Sequence, residues 1–116
     1  MTMNQLDAQR HSEERGKILE VLAQAFSSQM TSAGSLLRSL DLLGFPISPE
    51  SLSFHLRYLQ GCGYVQVWRT RDMAGWRADR PSPGNPNDAR FAALTPRGLQ
   101  LTDGQIDADP MVRFQA

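Results

Sequence analysis

The chain has one cysteine, Cys62, in 116 residues. A single thiol excludes an intrachain disulfide and cannot by itself build a thiolate zinc site. No stretch approaches the roughly 20 apolar residues that a membrane-spanning helix needs, so no membrane is expected among its partners. The opening residues, MTMNQLDAQRHSEER, carry charges with no apolar run behind them. That is unlike a secretory leader, and the expectation is a cytoplasmic protein with a reduced thiol. Glycine-rich phosphate loops, H-E-x-x-H and G-x-S-x-G are all missing. Two histidines and scattered acids make no catalytic constellation. The expectation is therefore no enzyme, no cofactor and no metal.

What is present suffices for a real core. Apolar residues make up 41% of the chain, and a length of this order fits one domain. The expected division is a single domain over 1–116, with an N-terminal extension at 1–11, a loop tip at 72–88 and a tail at 105–116. Net charge is zero, yet it is unevenly distributed. Between Pro49 and Arg97, seven arginines face four acids, while the tail after Gly98 holds three aspartates and one arginine. Lys17 is the only lysine. Arginine presents a planar fork of donors suited to phosphates and guanine edges. A codon bias towards arginine explains the preference equally well, but not its placement.

Apolar spacing predicts a first helix from Ser12 to Phe26, capped by Ser12 ahead of Glu13 and Glu14, with a start as early as Asp7 also open, carrying Ile18, Leu19, Val21, Leu22, Ala25 and Phe26. A second helix is expected from Ser32 to Leu43, with Leu36, Leu37, Leu40 and Leu43 inward and Gly44 as its stop. Ser48-Pro49 is a start signal, a capping hydroxyl followed by a proline in the first turn. The third helix then covers Pro49 to Gln60, with Leu52, Leu56 and Leu59 as its inner stripe. Tyr64–Arg71 and Ala89–Leu94 read as paired strands around a long polar loop. TPRGLQLTDG reads as a short final helix. The predicted fold class is α+β, mainly α. Three helices, a two-stranded hairpin with a long tip and a short last helix are the order of a winged helix-turn-helix, whose third helix enters the major groove.

The run Ser53-Phe54-His55-Leu56-Arg57-Tyr58-Leu59-Gln60-Gly61-Cys62-Gly63-Tyr64-Val65 resembles the S-x-H-L-x-x-L-x-x-x-G-[LY]-V signature of ArsR-like winged-helix regulators. Leu94-Thr95-Pro96-Arg97-Gly98 resembles the L-T-x-x-G element that closes ArsR- and MarR-like domains. From about residue 12 onward the chain is also similar to small winged-helix proteins of Mu-like phages and prophages. It shares R-x-x-I-L-x-x-L at Arg15–Leu22, L-x-x-x-G at Leu40–Gly44 and G-x-x-x-x-x-P-x-V at Gly104–Val112. The resemblance implies a DNA-binding fold and a transcriptional regulator of phage, prophage or bacterial origin. The metal-sensing cysteine cluster of many ArsR proteins is missing, so metal responsiveness is not implied.

With the leucine stripe inward, the opposite face of the third helix carries Glu50, Phe54 and Arg57, flanked by Ser51, Ser53 and Tyr58. Ser51, Ser53, Phe54, Arg57 and Tyr58 are the candidate DNA contacts of this helix. Phe54 could instead pack on the hairpin or at a dimer interface. His55 sits at the stripe's edge, as a buried hydrogen-bonded imidazole or a phosphate contact, and nothing in the sequence places His11 near it. Arg69, Arg71, Arg77, Arg80 and Arg90 are the candidate wing contacts, for phosphates or the minor groove, against a solvated polar loop. Trp68 and Trp76 read as packing residues of the wing, and Trp76 as a stacking platform if the partner is single-stranded. Cys62 reads as a packed thiol. The expected partners are double-stranded DNA and a second copy of the chain, the homodimer forming through the N-terminal helix and the apolar tail residues Met111, Val112 and Phe114. A protein-interaction module built on the same frame is the alternative, supported by the zero net charge and the proline-rich segment 80–87.

Overall fold

A computed structural model describes residues 5–24, 31–68 and 91–114, with the side chains of 5–7 and of Trp68 outside that description. Helix α1 spans Gln5–Gln24, α2 spans Ala33–Leu42, α3 spans Pro49–Gly61 and α4 spans Pro96–Thr102. Strands β1 (Thr31–Ser32), β2 (Val65–Trp68) and β3 (Phe91–Leu94) form an antiparallel sheet in the order β1-β3-β2. The described residues thus make a small, mainly helical α+β structure.

Three helices begin where a side-chain oxygen caps the first turn. Ser32, Ser48 and Thr95 accept from the backbone N–H three residues on, in α2, α3 and α4. Pro49 and Pro96 follow two of these caps, in first-turn positions where no N–H is missed. Left-handed glycines end the elements. Gly44 (φ 86°) closes α2, Gly63 (φ 82°) closes α3 and Gly104 (φ 73°) follows α4. After α3 the Tyr64 N–H reaches back to the Leu59 carbonyl at 2.9 Å, so the chain turns directly into β2.

The core is one cluster in which Ile18, Leu19 and Leu22 of α1 meet Leu36 and Leu40 of α2 and Leu52, Leu56 and Leu59 of α3. Val65, Val67, Ala92 and Leu94 close it from the sheet. β2 and β3 are in register from Val65↔Leu94 to Trp68↔Phe91. The L-T-x-x-G run has a steric reason at its glycine. A Cβ on Gly98 would run into the Tyr64 carbonyl, so the first turn of α4 sits against the start of β2.

Several expectations change. The sheet has three described strands rather than two, because Thr31 and Ser32 pair with Ala92 and Phe91. Helix α1 starts at Gln5, close to the earlier start at Asp7 that the sequence left open, so residues 5–11 belong to it rather than to a separate extension. Ser12 is no cap. It is buried mid-helix, its hydroxyl donates to the Ala8 carbonyl at 3.0 Å, and its own carbonyl accepts from the Arg113 N–H at 2.9 Å. Leu43 is not in the inner stripe. The helix ends at Leu42, leaving Leu42 and Leu43 exposed, while Phe45 beyond the turn packs against the core instead.

The tail is the largest difference. Val112 is a core residue and Ile106 and Phe114 pack against the core, so of the three apolar tail residues only Met111 faces solvent. The basis for a dimer through Val112 and Phe114 is therefore gone, because both already pack in or against the protein's own core. The tail lies on α1 at Gly16, where a Cβ would strike the Arg113 carbonyl. Replacing Gly16 with Ala is expected to cost about 1–3 kcal/mol through this overlap. Gly34→Ala, in the open first turn of α2, should instead stabilise by about 0.4–1 kcal/mol. Urea unfolding of the two variants checks the pair, and equal midpoints would refute the tail contact.

Candidate nucleic-acid interface

Four residues of α3 point inward, namely Leu52, His55, Leu56 and Leu59. The outward stripe is Glu50, Phe54, Arg57 and Gly61, all exposed. Arg57 therefore stands where the sequence places it, and no described carboxylate pairs with it. Glu50 shares the stripe, so the face is mixed in charge rather than uniformly basic. Ser51 and Ser53 are half-buried on its flanks. The Ser51 hydroxyl accepts from Ser48 at 3.2 Å as part of the cap.

One flank of α3 is covered by the protein itself. The Arg15 guanidinium of α1 lies over the Tyr58 ring, 4.3 Å from its centroid, and also 5.5 Å from that of Phe54. Its Nη1 donates to the Met111 carbonyl at 3.3 Å, tying the tail to the same place. The Tyr58 hydroxyl faces both carboxylate oxygens of Asp109 at 3.4 Å, and the Tyr64 hydroxyl donates to Asp109 Oδ2 at 3.0 Å. Burial, with Cys62 and Asp109 nearby, pushes the Tyr58 phenol up to about 12, so it stays protonated as a donor. Tyr58 is thus half-buried, with Arg15 over its ring and its hydroxyl directed at the tail. Phe54 keeps 49% of its surface exposed. Its inner side meets His11 and His55 at centroid distances of 5.8 and 5.5 Å.

Behind Phe54 is a cluster the sequence reading missed. His55 is fully buried, and its Nε2 lies 2.9 Å from Glu14 Oε1. His11 Nδ1 lies 3.6 Å from the same oxygen, and Arg10 Nε lies 3.3 Å from Oε2. The two imidazoles meet edge to face at 5.3 Å. His11 is therefore placed beside His55 after all. The signal was the spacing, since His11, Glu14, Ile18 and Leu22 follow one another at three, four and four residues. That is a single helical stripe, whose polar end is half-buried at His11 and buried at Glu14.

The candidate wing residues Arg69, Arg71, Arg77, Arg80 and Arg90, with Trp76, lie outside the described residues. At the base of the β2–β3 pair, Arg97 Nε donates to the Cys62 carbonyl at 3.1 Å and packs over Tyr64. No described helix is long and apolar enough to cross a membrane. No protein-family profile, curated protein or solved structure matches the chain.

Burial holds the His55 imidazole below its ordinary value of 6.5, with Arg15 and His11 acting in the same direction and Glu14 opposing them. The unfolded chain binds a proton there near pH 6.5 and the folded chain does not. Stability from this residue is therefore complete above that pH and is lost as the pH falls towards the folded value. The urea midpoint is expected to drop between about pH 7.5 and 5.5, and to drop less in His55→Gln. A drop of the same size in both proteins would assign it to other groups.

Proposed function

We propose that this chain is a winged helix-turn-helix protein that binds double-stranded DNA sequence-specifically through α3 and serves as a transcriptional regulator, in line with its resemblance to ArsR-like and phage winged-helix proteins. One observation carries the reading. The stripe of α3 opposite its leucines is left open by the rest of the described chain, with Arg57 at its centre and no described acid paired to it. A core helix would have that side covered. The six-residue connection between α2 and α3, ending on the Ser48 cap, supports the same reading, since it sets the start of α3 by backbone geometry.

Arg57 is assigned to base edges or phosphates, Ser51 and Ser53 to phosphates beside the helix N-terminus, and the open side of Phe54 to a thymine methyl. The arginines of 69–90 are assigned to the backbone and minor groove on the wing side. Tyr58 is assigned a supporting role only. Two copies would meet a pseudo-palindromic site with half-sites about 34–36 Å apart.

Enrichment of duplexes from a randomised pool, followed by fluorescence anisotropy on the winners, tests the reading. Wild-type affinity should fall steeply with salt. Arg57→Ala should weaken binding by about tenfold to a hundredfold with thermal unfolding unchanged. No enriched duplex, or binding indifferent to both Arg57 and salt, ends the proposal. A protein-interaction module is the second reading, favoured by Leu42 and Leu43, which are 82% and 52% exposed at the end of α2. A stoichiometric protein partner recovered with no duplex enrichment selects it.

A further inference from the structure

The cluster behind Phe54 has a composition that its structural role does not need. Holding α3 on α1 requires one hydrogen bond, and Glu14–His55 supplies it. His11 adds a second imidazole whose Nδ1 is buried and has no hydrogen-bond partner. Buried nitrogens without partners are uncommon and each asks for an explanation. Here the orphaned nitrogen of His11 lies 3.6 Å from the carboxylate oxygen that His55 Nε2 already contacts.

The distances fit a shared ion. One ligand atom from each of His11, Glu14 and His55 lies within 4.8 Å of the other two, with 2.9 Å for His55 to Glu14 and 3.6 Å for His11 to Glu14. A tetrahedral ion with bonds of about 2.0–2.2 Å holds its ligand atoms roughly 3.3 Å apart. Small side-chain rotations therefore close the set. Two neutral nitrogens and one carboxylate oxygen suit a borderline divalent ion of the zinc class, and are too nitrogen-rich for magnesium or calcium. Arg10, ion-paired to Glu14 Oε2 at 3.3 Å, leaves Oε1 facing the histidines and gives the carboxylate an outer partner, as ligating carboxylates ordinarily have. Arg15, the other nearby cation, is directed away, at Tyr58 and the Met111 carbonyl.

We propose that His11, Glu14 and His55 form a binding site for a divalent transition-metal ion of the zinc class, clamping α1 to α3. The ion takes His11 Nδ1, one oxygen of Glu14 and His55 Nε2, the His55 ring carrying its proton on Nδ1, and water completes the tetrahedron. Three protein ligands from two helices, all but His11 buried, hold the ion at the inner side of Phe54. The site stands independently of any nucleic-acid reading, since only the ion and the protein enter it.

Cobalt is the probe, because its visible absorption reports coordination number. The full chain, first stripped with a chelator, is titrated with Co²⁺ and then with Zn²⁺. One equivalent of Co²⁺ should bind with micromolar or tighter affinity, give the intense bands of a four-coordinate ion and be displaced by Zn²⁺. His11→Gln should weaken binding at least tenfold while leaving the Glu14–His55 contact and the far-UV circular dichroism unchanged. The chain has only two histidines, so a second measurement needs no variant. One equivalent of Zn²⁺ should shift the imidazole resonances of both. No saturable binding below about 1 mM, equal affinity in His11→Gln, or an imidazole left unmoved by zinc would each overturn the site.

Discussion

The contact between Glu14 and His55, sealed from solvent at 2.9 Å and bridging 41 positions of sequence, fixes how α3 sits on α1. Leucine packing alone lets a helix slide or rotate by a few ångströms at modest cost, because apolar contacts carry little direction. A buried charged acceptor facing a buried imidazole does not tolerate that. Leaving either group unpaired costs about 1–3 kcal/mol, so the helix is pinned in rotation as well as in depth. What α3 turns outward therefore follows from what it anchors inward. With His55 held on Glu14, Phe54 and Arg57 are delivered to the open side, and Tyr58 is delivered under Arg15.

Around this anchor the two ends of the described chain converge. Arg15 links them, stacking on Tyr58 and reaching the Met111 carbonyl, while Asp109 receives the hydroxyls of Tyr58 and Tyr64. One flank of α3 is thereby buttressed by α1 and the tail, and the outward stripe is not. A helix firmly supported on one side and bare on the other is a rigid platform, which is what a specific contact with any large partner requires.

The sequence announced the caps and stops plainly. Ser48-Pro49 marks the start of α3 and Gly44 the turn through positive φ that ends α2, because these signals are local chemistry. β1 was not legible. Two residues of a polar stretch have no periodicity of their own, and they form a strand only because β3 offers them a free edge. Ser12 offered a false start to α1 for a related reason. Ser12 has the side chain of a cap, yet buried in mid-helix it bonds back to Ala8, a choice set by what packs over it. His11 and the tail failed together. Their partners lie 44 and roughly 100 residues away, and nothing local in either segment states which distant surface will cover it.

The tail contact at Gly16 also bears on how this molecule can come into being. A domain that closes on neighbouring elements can settle as it is made, from the front backwards. Here the groove on α1 at Ser12 and Gly16 stays open until the backbone at Arg113 arrives, and Val112 is needed to complete the core. A nascent chain that has emerged only through α3 holds an unfinished interior with its first helix half bare. It must remain soluble in that condition, or be shielded, until the residues through Arg113 have followed.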